Sequence, residues 1–362
     1  MSETTKLRIT TVTPVTIGSG AELSPYSDYI IDSEKICFID KGKMVNRIMQ
    51  KGDHYLDRYV YGVANKVDNN RSEFDLKSFL LNNKIVQSIN EIIYSKCNAV
   101  IFSNQKLPIK GIIKSPLSEP YFPGSSLKGV LKTILMYNWL KSNENANQVI
   151  ENVIKWVGIN FDSLGKEFEC IVNDKNELVR PKTIQQITDS NMLQQHSNIV
   201  VDTLRAGIPL RFECIAKNQS TEFELTLENY KWEDLAAQAN DYAASVLDRE
   251  FQLVKEDEKL IDYYNHLSII EDKIIEAKNG VAYIRIGFGK GYYLNSLGIV
   301  IYNYVSQKGK EDLYDKFEIF LRKEFSKKGK QDDFSLEEFP RTRLMVKNTQ
   351  EPLGWIKIEK VS

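Results

Sequence analysis

Histidine and cysteine are scarce in this chain, with three and four copies among 362 residues. Cys37, Cys97, Cys170 and Cys214 stand far apart, and no C-x-x-C pair or Cys/His cluster occurs. That spacing excludes a zinc-type ligand set and a disulfide framework, and the sequence asks for no metal and no cofactor. A dominant charge sign is missing too: 48 Lys and Arg meet 49 Asp and Glu, for a formal net charge of −1. A polyanion would therefore have to meet a local basic surface, since binding depends on where the charges lie. The stretch Val281–Ser362 is the more basic part, with 15 Lys and Arg against 11 Asp and Glu. Long apolar runs are absent; none approaches the ~18 residues of a membrane span. The start "MSETTKLRIT" has no basic region followed by an apolar one. The expectation is a cytoplasmic protein without membrane contact.

What is present is an ordinary globular composition, 42% hydrophobic and 27% charged, at a length comfortable for two domains. "KLRITTVTPVTIG" (6–18) alternates Leu7, Ile9 and Thr11 with Arg8, Thr10 and Val12, a strand pattern ended by Pro14 and by Gly18 and Gly20. "DYIIDSEKICFID" (28–40) predicts two strands around a turn at 33–35. Helices are expected over 42–49 and 76–93, with polar "KVDNNRSEFD" as a loop between them, and longer ones over 232–254 and 258–278. "RPKTIQQITDS" (180–190) reads as a strand running into a turn at Asp189. "RAGIPLRFECIAK" and "TEFELTLEN" predict a hairpin over "NQST". The break in pattern around "QQHSN" sets a domain division near residue 200, giving units 1–200 and 201–362.

Three stretches carry chemistry. In "YFPGSSLKGVLKTIL" (121–135), Pro123 and Gly124 make a turn and Ser125 or Ser126 is a candidate N-cap. Leu127, Val130, Leu131, Ile134 and Leu135 then recur at the spacing of a buried helical face. A helix start with unpaired N–H groups, two hydroxyls, Lys128 and, one turn on, Lys132 suits an anion such as phosphate. A capped amphipathic helix with solvated lysines has the same appearance. A P-loop is excluded, because Val130 and Leu131 follow Gly129 where Lys and Ser/Thr are required.

The second stretch is "YIRIGFGKGYYLNSLG" (283–298). Gly287, Gly289 and Gly291 are too closely spaced for a dinucleotide fingerprint. They let backbone come close to a ligand, while Arg285 and Lys290 bring charge and Phe288, Tyr292 and Tyr293 bring flat faces, a mixture that suits an RNA groove. The competing reading is a glycine-rich hairpin with core aromatics. The third stretch, "FPRTRLMVKNTQEPLGWIKIE" (339–359), reads as a closing hairpin over "KNTQEP". Arg341 and Arg343 lie on its first strand, placed either to grip phosphate or to form a solvated edge.

Together these stretches resemble the RAMP superfamily of CRISPR-associated proteins: "FPGSSLKGVLKTIL" its helix motif, "RIGFGKGY" its glycine-rich loop, and "LRITTVTPVTIGSG" its first strand and following glycines. The ending "FPRTRLMV" with "PLGWIKI" is similar to the fifth-subunit family of type III-A (Csm) effector complexes. The resemblance implies an α+β fold of two ferredoxin-like (RNA-recognition-like) βαββαβ domains with helical insertions. It also implies a ribonucleoprotein subunit that binds the 3′ end region of the crRNA, caps the backbone filament and aids crRNA maturation. Its partners would be crRNA, the backbone RAMP and small helical Csm subunits, target RNA through the complex, and a host nuclease. By the same resemblance, Gly124, Ser125, Ser126, Lys128 and Lys132 become crRNA-backbone contacts. Arg285, Gly287, Gly289, Lys290, Gly291, Arg341 and Arg343 complete the set.

Several RAMP relatives cut RNA, so an endoribonuclease that processes CRISPR repeat RNA is the alternative. Metal-free cleavage needs a general base near a cation. His54, His196 and His266 lie in no recognisable constellation, and Asp28, loosely placed like a backbone-subunit catalytic aspartate, has no evident carboxylate partner. The expectation is binding without catalysis.

Overall fold

The computed structural model describes residues 2–68, 72–102, 105–142, 147, 150, 151, 154, 183–194, 197–205, 207–289, 291–293, 297–325 and 334–361. Lys290, His196 and Cys170 lie outside the described residues, as does the first part of the strand expected over 180–190. Two sheets organise the chain, and the content is mixed α and β as expected.

The first sheet has five antiparallel strands in the order β11-β13-β1-β10-β7, formed by β1 (Ser2–Thr11), β7 (Ile184–Ile187), β10 (Ser220–Glu228), β11 (Val281–Arg285) and β13 (Trp355–Lys360). The predicted alternation on β1 is realised: Leu7, Ile9 and Thr11 are buried. Against this sheet pack α4 (Gly124–Ser142) and α5 (Trp232–Val254), so that Leu127, Leu131 and Ile134 share a core with Leu7, Leu225, Trp232 and Ile358. All five predicted apolar positions of α4 are buried. Helix α6 (Ile261–Ile275) adds a smaller cluster with Leu267 and Ile270 beside Trp355. Its expected first turn is a 3-10 turn over Glu258–Leu260.

The second sheet contains β2 (Gly18–Leu23), β3 (Tyr29–Asp32), β4 (Lys35–Ile39), β5 (Ile93–Val100), β6 (Ile109–Ile112), β8 (Asn198–Arg205), β9 (Ile208–Ile215) and β12 (Leu344–Val346). Its order is β2-β6-β9-β8-β5-β4-β3, with β12 added beside the end of β8. The β3–β4 hairpin turns where expected, with Ser33 at φ 58°. Helices α1 (Lys41–Lys51) and α2 (Asp53–Asn65) pack with α3 (Leu76–Asn82) over a core containing Met44, Ile48, Tyr59 and Phe79. Two further helices, α7 (Gly298–Val305) and α8 (Glu311–Phe325), occupy a region to which the sequence pattern assigned no element.

Several expectations are corrected. The helix expected over 76–93 ends at Asn82; Lys84 takes a positive φ of 49°, and Ile93 already opens β5. β9 and β10 do not pair with each other: β9 is flanked by β8 and β6, which uses both of its edges, and β10 joins β1 and β7 in the other sheet. The closing hairpin divides in the same way. Val346 and Glu351 make a turn hydrogen bond of 2.9 Å, but β12 pairs with β8 while β13 runs between β1 and β11. Residue 200 falls within β8, and both sheets take strands from both sides of it.

Candidate nucleic-acid interface

The glycine-rich loop is built by three stretches that cross on backbone hydrogen bonds. The Phe288 N–H donates to Thr16 O at 2.8 Å, the Ile286 N–H to Gly354 O at 2.8 Å, and the Gly354 N–H to Pro14 O at 2.8 Å. The first-strand exit, the glycine loop and the "PLGW" tail therefore meet at one place. Glycine is required there by contact as well as by torsion. A Cβ on Gly287 (φ +83°) would sit 2.2 Å from Thr16 O, and one on Gly354 (φ +95°) 2.3 Å from Ile286 O. At Gly289 (φ +93°) the obstruction is the Leu344 side chain at 2.7 Å, whereas a Cβ on Gly291 (φ +77°) would meet no atom of the described residues within 4 Å.

This crossing forms one wall of an open groove of about 640 Å³, lined by Gly287, Gly289 and Gly291 together with Ile17, Gly18, Arg205, Tyr292, Phe325, Phe339, Thr342 and Leu344. Phe288 also lines it, 44% exposed, with its ring centroid 5.2 Å from that of buried Phe212. Arg205, at the end of β8, is exposed and has no side-chain partner among the described residues. A strap also contributes to the groove, lining it with Phe339 and Pro340. Arg249 of α5 fastens that strap: its Nη2 donates to Leu336 O at 2.8 Å and Glu337 O at 2.7 Å, and the guanidinium lies 4.1 Å from the Tyr302 ring centroid.

The other predicted residues are placed differently. Arg285 is 4% exposed and its Nε donates to Leu353 O at 2.7 Å, so it braces the crossing from inside instead of facing a ligand. Arg343 precedes β12, and its Nε pairs with Glu250 at 2.9 Å with both side chains at most 10% exposed. Arg341 is exposed and bridges to Glu338 at 2.5 Å. The two arginines share no strand face, because the strand begins only at Leu344.

Helix α4 begins at Gly124, ahead of both serines that were candidates for its N-cap. Its cap is neither serine: the Pro123 carbonyl accepts from Ser126 and Leu127, and the Gly124 N–H donates to Asp189 Oδ1 at 2.7 Å. Gly124 is pressed against the strand behind it, where a Cβ would lie 2.7 Å from Thr188 O. Asp189 thus supplies, from 65 residues away, the anion that a helix N-terminus favours. What remains for an external phosphate is the surface of the next two turns. Ser125 is exposed and Ser126 partly so, Lys128 is exposed with no partner among the described residues, and Lys132 is half-buried. Partial burial and then the nearby Lys128 charge hold the Lys132 amine below the usual lysine range, a pair that an anion would stabilise. None of these α4 residues lines the groove.

Asp28 closes its own turn, accepting from the Ser24 N–H at 2.6 Å, and forms an ion pair with Lys41. His266 bonds the Thr349 carbonyl at 3.0 Å, and His54 meets the edge of Tyr55. No group of three or more His, Cys, Asp or Glu side chains is placed to hold a metal among the described residues, nor is any described helix long and apolar enough to cross a membrane.

The sequence profile of the RAMP superfamily matches residues 8–341. The chain belongs to the RAMP superfamily. Two curated RAMP relatives bear the name CRISPR system Cms protein Csm5. The one from Methanocaldococcus jannaschii is 25% identical over 99% of this chain and 89% of its own length. The one from Streptococcus thermophilus is 28% identical over 62% and 64%. Among solved structures, a chain of a Csm–crRNA–target RNA ternary complex from a type III-A CRISPR-Cas system superposes with a TM-score of 0.73 at 20% identity, covering 98% of this chain and all of that one. The crystal structure of T. onnurineus Csm5 gives 0.66 at 17% identity, covering 96% and 99%. The RAMP fold expected from the motifs is the fold observed.

Sequence reasoning missed Arg205, Phe325, Asp189 and Arg249. The glycine at 207, so soon after Arg205, was a usable signal for a basic hairpin tip. Asp189 and Arg249 act through partners 65 to 90 residues away, and Phe325 packs on the rings of Tyr292 and Phe339 from other segments, which no local pattern reveals.

Proposed function

We propose that this RAMP protein is the Csm5-type subunit of a type III-A CRISPR effector complex, binding the 3′ end region of the crRNA at the end of the backbone filament without cutting it. The observation that carries the reading is the groove. Three positive-φ glycines bring main chain to its surface beside Arg205, which has no side-chain partner among the described residues, in a chain similar to Csm5 over nearly its whole length. Backbone approach plus cation is a way to hold a polyanion irrespective of base order. Lys128 and Lys132 on α4 supply a second phosphate-binding surface. The side chains of Asp28, His54 and His266 are engaged in turns and packing, which supports binding without hydrolysis. Partners on this reading are the crRNA, the backbone and small helical Csm subunits, target RNA through the assembled complex, and a nuclease that trims the crRNA.

The test is titration of the purified chain with labelled crRNA-like RNA over a range of salt, with and without magnesium. Intact RNA and a steep fall of affinity with salt are expected. Lys128→Ala is expected to weaken unrelated RNAs alike and to reduce the salt slope by about one. A loss confined to one sequence contradicts backbone binding, and cleavage by a clean preparation restores the endoribonuclease alternative.

A further inference from the structure

The groove offers more than a phosphate track. Among the described residues lining it, Arg205 is the only charged side chain and none is a carboxylate. Two of its aromatic rings are unusually open, Phe288 at 44% and Phe325 at 48% exposure. Each is backed by other rings: Phe288 by Phe212 at 5.2 Å, and Phe325 by Tyr292 at 5.5 Å and Phe339 at 5.1 Å. A phenyl ring that rests on other rings while much of its surface stays exposed can serve as a flat platform, and leaving that much aromatic surface in water is unfavourable unless something covers it. The volume of about 640 Å³ lies within the ~300–1,000 Å³ of cavities that take a small organic ligand, whereas a track for phosphate alone needs no apolar walls.

We propose that the groove is a stacking pocket for a single unstacked nucleobase of the bound RNA, with Phe288 and Phe325 as its platforms and Arg205 meeting the phosphate of that nucleotide. The inference rests on the RNA-binding reading above and specifies what the groove receives. Flat apolar faces beside one guanidinium complement a nucleotide, which is a flat base joined to one negative charge. Because every base has a π face, the pocket selects an unpaired nucleotide and not a sequence.

The experiment is an abasic scan: the purified full-length chain is titrated with a set of single-stranded RNAs, each lacking one base and keeping its phosphates. Removal at one position is expected to weaken binding about tenfold, within the range for stacking on an aromatic side chain. A 2-aminopurine at that position should change its fluorescence on binding. Phe288→Leu and Phe325→Leu keep apolar bulk but remove the platform, and each should lose affinity for intact RNA while becoming insensitive to the abasic site. If every abasic RNA binds as tightly as intact RNA while salt dependence persists, the base pocket is overturned and backbone binding stands. If RNA affinity is untouched by both variants but assembly with partner subunits fails, the groove receives a protein side chain and the proposal is wrong. If no salt-dependent RNA binding occurs at all, the functional reading falls, and the pocket with it.

Discussion

At Gly287 the demand for glycine is double. The residue sits at φ +83°, and the Cβ of any other residue would approach the Thr16 carbonyl to 2.2 Å, a separation that neither backbone can relieve without moving the crossing. Gly291 has a similar φ of +77°, but a Cβ there would meet no atom of the described residues within 4 Å. Gly291→Ala should therefore cost only the torsional penalty, about 1–2 kcal/mol. Gly287→Ala adds a backbone collision and should cost on the order of 3 kcal/mol, read as a clearly larger fall in Tm. Equal effects would mean that the loop does not cross Thr16 as described. The arginines teach the same lesson about context. Arg285 and Arg343 have the chemistry of RNA ligands, yet one bonds a buried carbonyl and the other a buried carboxylate. Side-chain type was visible in the sequence, but the direction each one points was not.

Among elements, those set by local periodicity were legible. The run of Leu127 to Leu135 gave the buried face of α4, Trp232–Val254 gave α5 to the residue, and the alternation at Leu7 and Ile9 gave β1. Pairing partners were not legible, because alternation shows that a strand has a wet and a dry face without saying which strand lies beside it. β9 and β10 are adjacent in sequence and alternate strongly, yet they sit in different sheets. The strap over the groove is a related case, held by an α5 arginine far from it in sequence. Arg249→Ala removes a charged donor from Leu336 O and Glu337 O and should cost about 2–3 kcal/mol. The loss should appear locally, as faster proteolysis and hydrogen exchange over 334–340, with weaker RNA binding as the groove wall loosens. Unchanged exchange there would show that the strap is held by its aromatic packing alone.

For the whole molecule, the division near residue 200 meets the way the core is assembled. β1 has two neighbours, β10 and β13, and both come from beyond residue 200; β13 in turn lies between β11 and β1 at the interior of its sheet. The main core mixes Leu7, Ile9, Leu127 and Leu131 with Leu225, Trp232, Ile356 and Ile358. A cut at 200 strips β1 of every ladder partner, exposes the apolar face of α4, and severs β8 in the middle of the second sheet. Burial on that scale cannot be replaced within either piece, so segments 1–200 and 201–362 expressed separately should each lack cooperative unfolding. Co-expression should recover soluble protein by re-forming the β1–β10 and β1–β13 ladders. A folded 1–200 segment with dispersed amide signals would instead show that the second sheet and its helices sustain themselves. The first sheet would then be the later addition that brings "TVTPVTIG", the glycine loop and "PLGW" together at the groove.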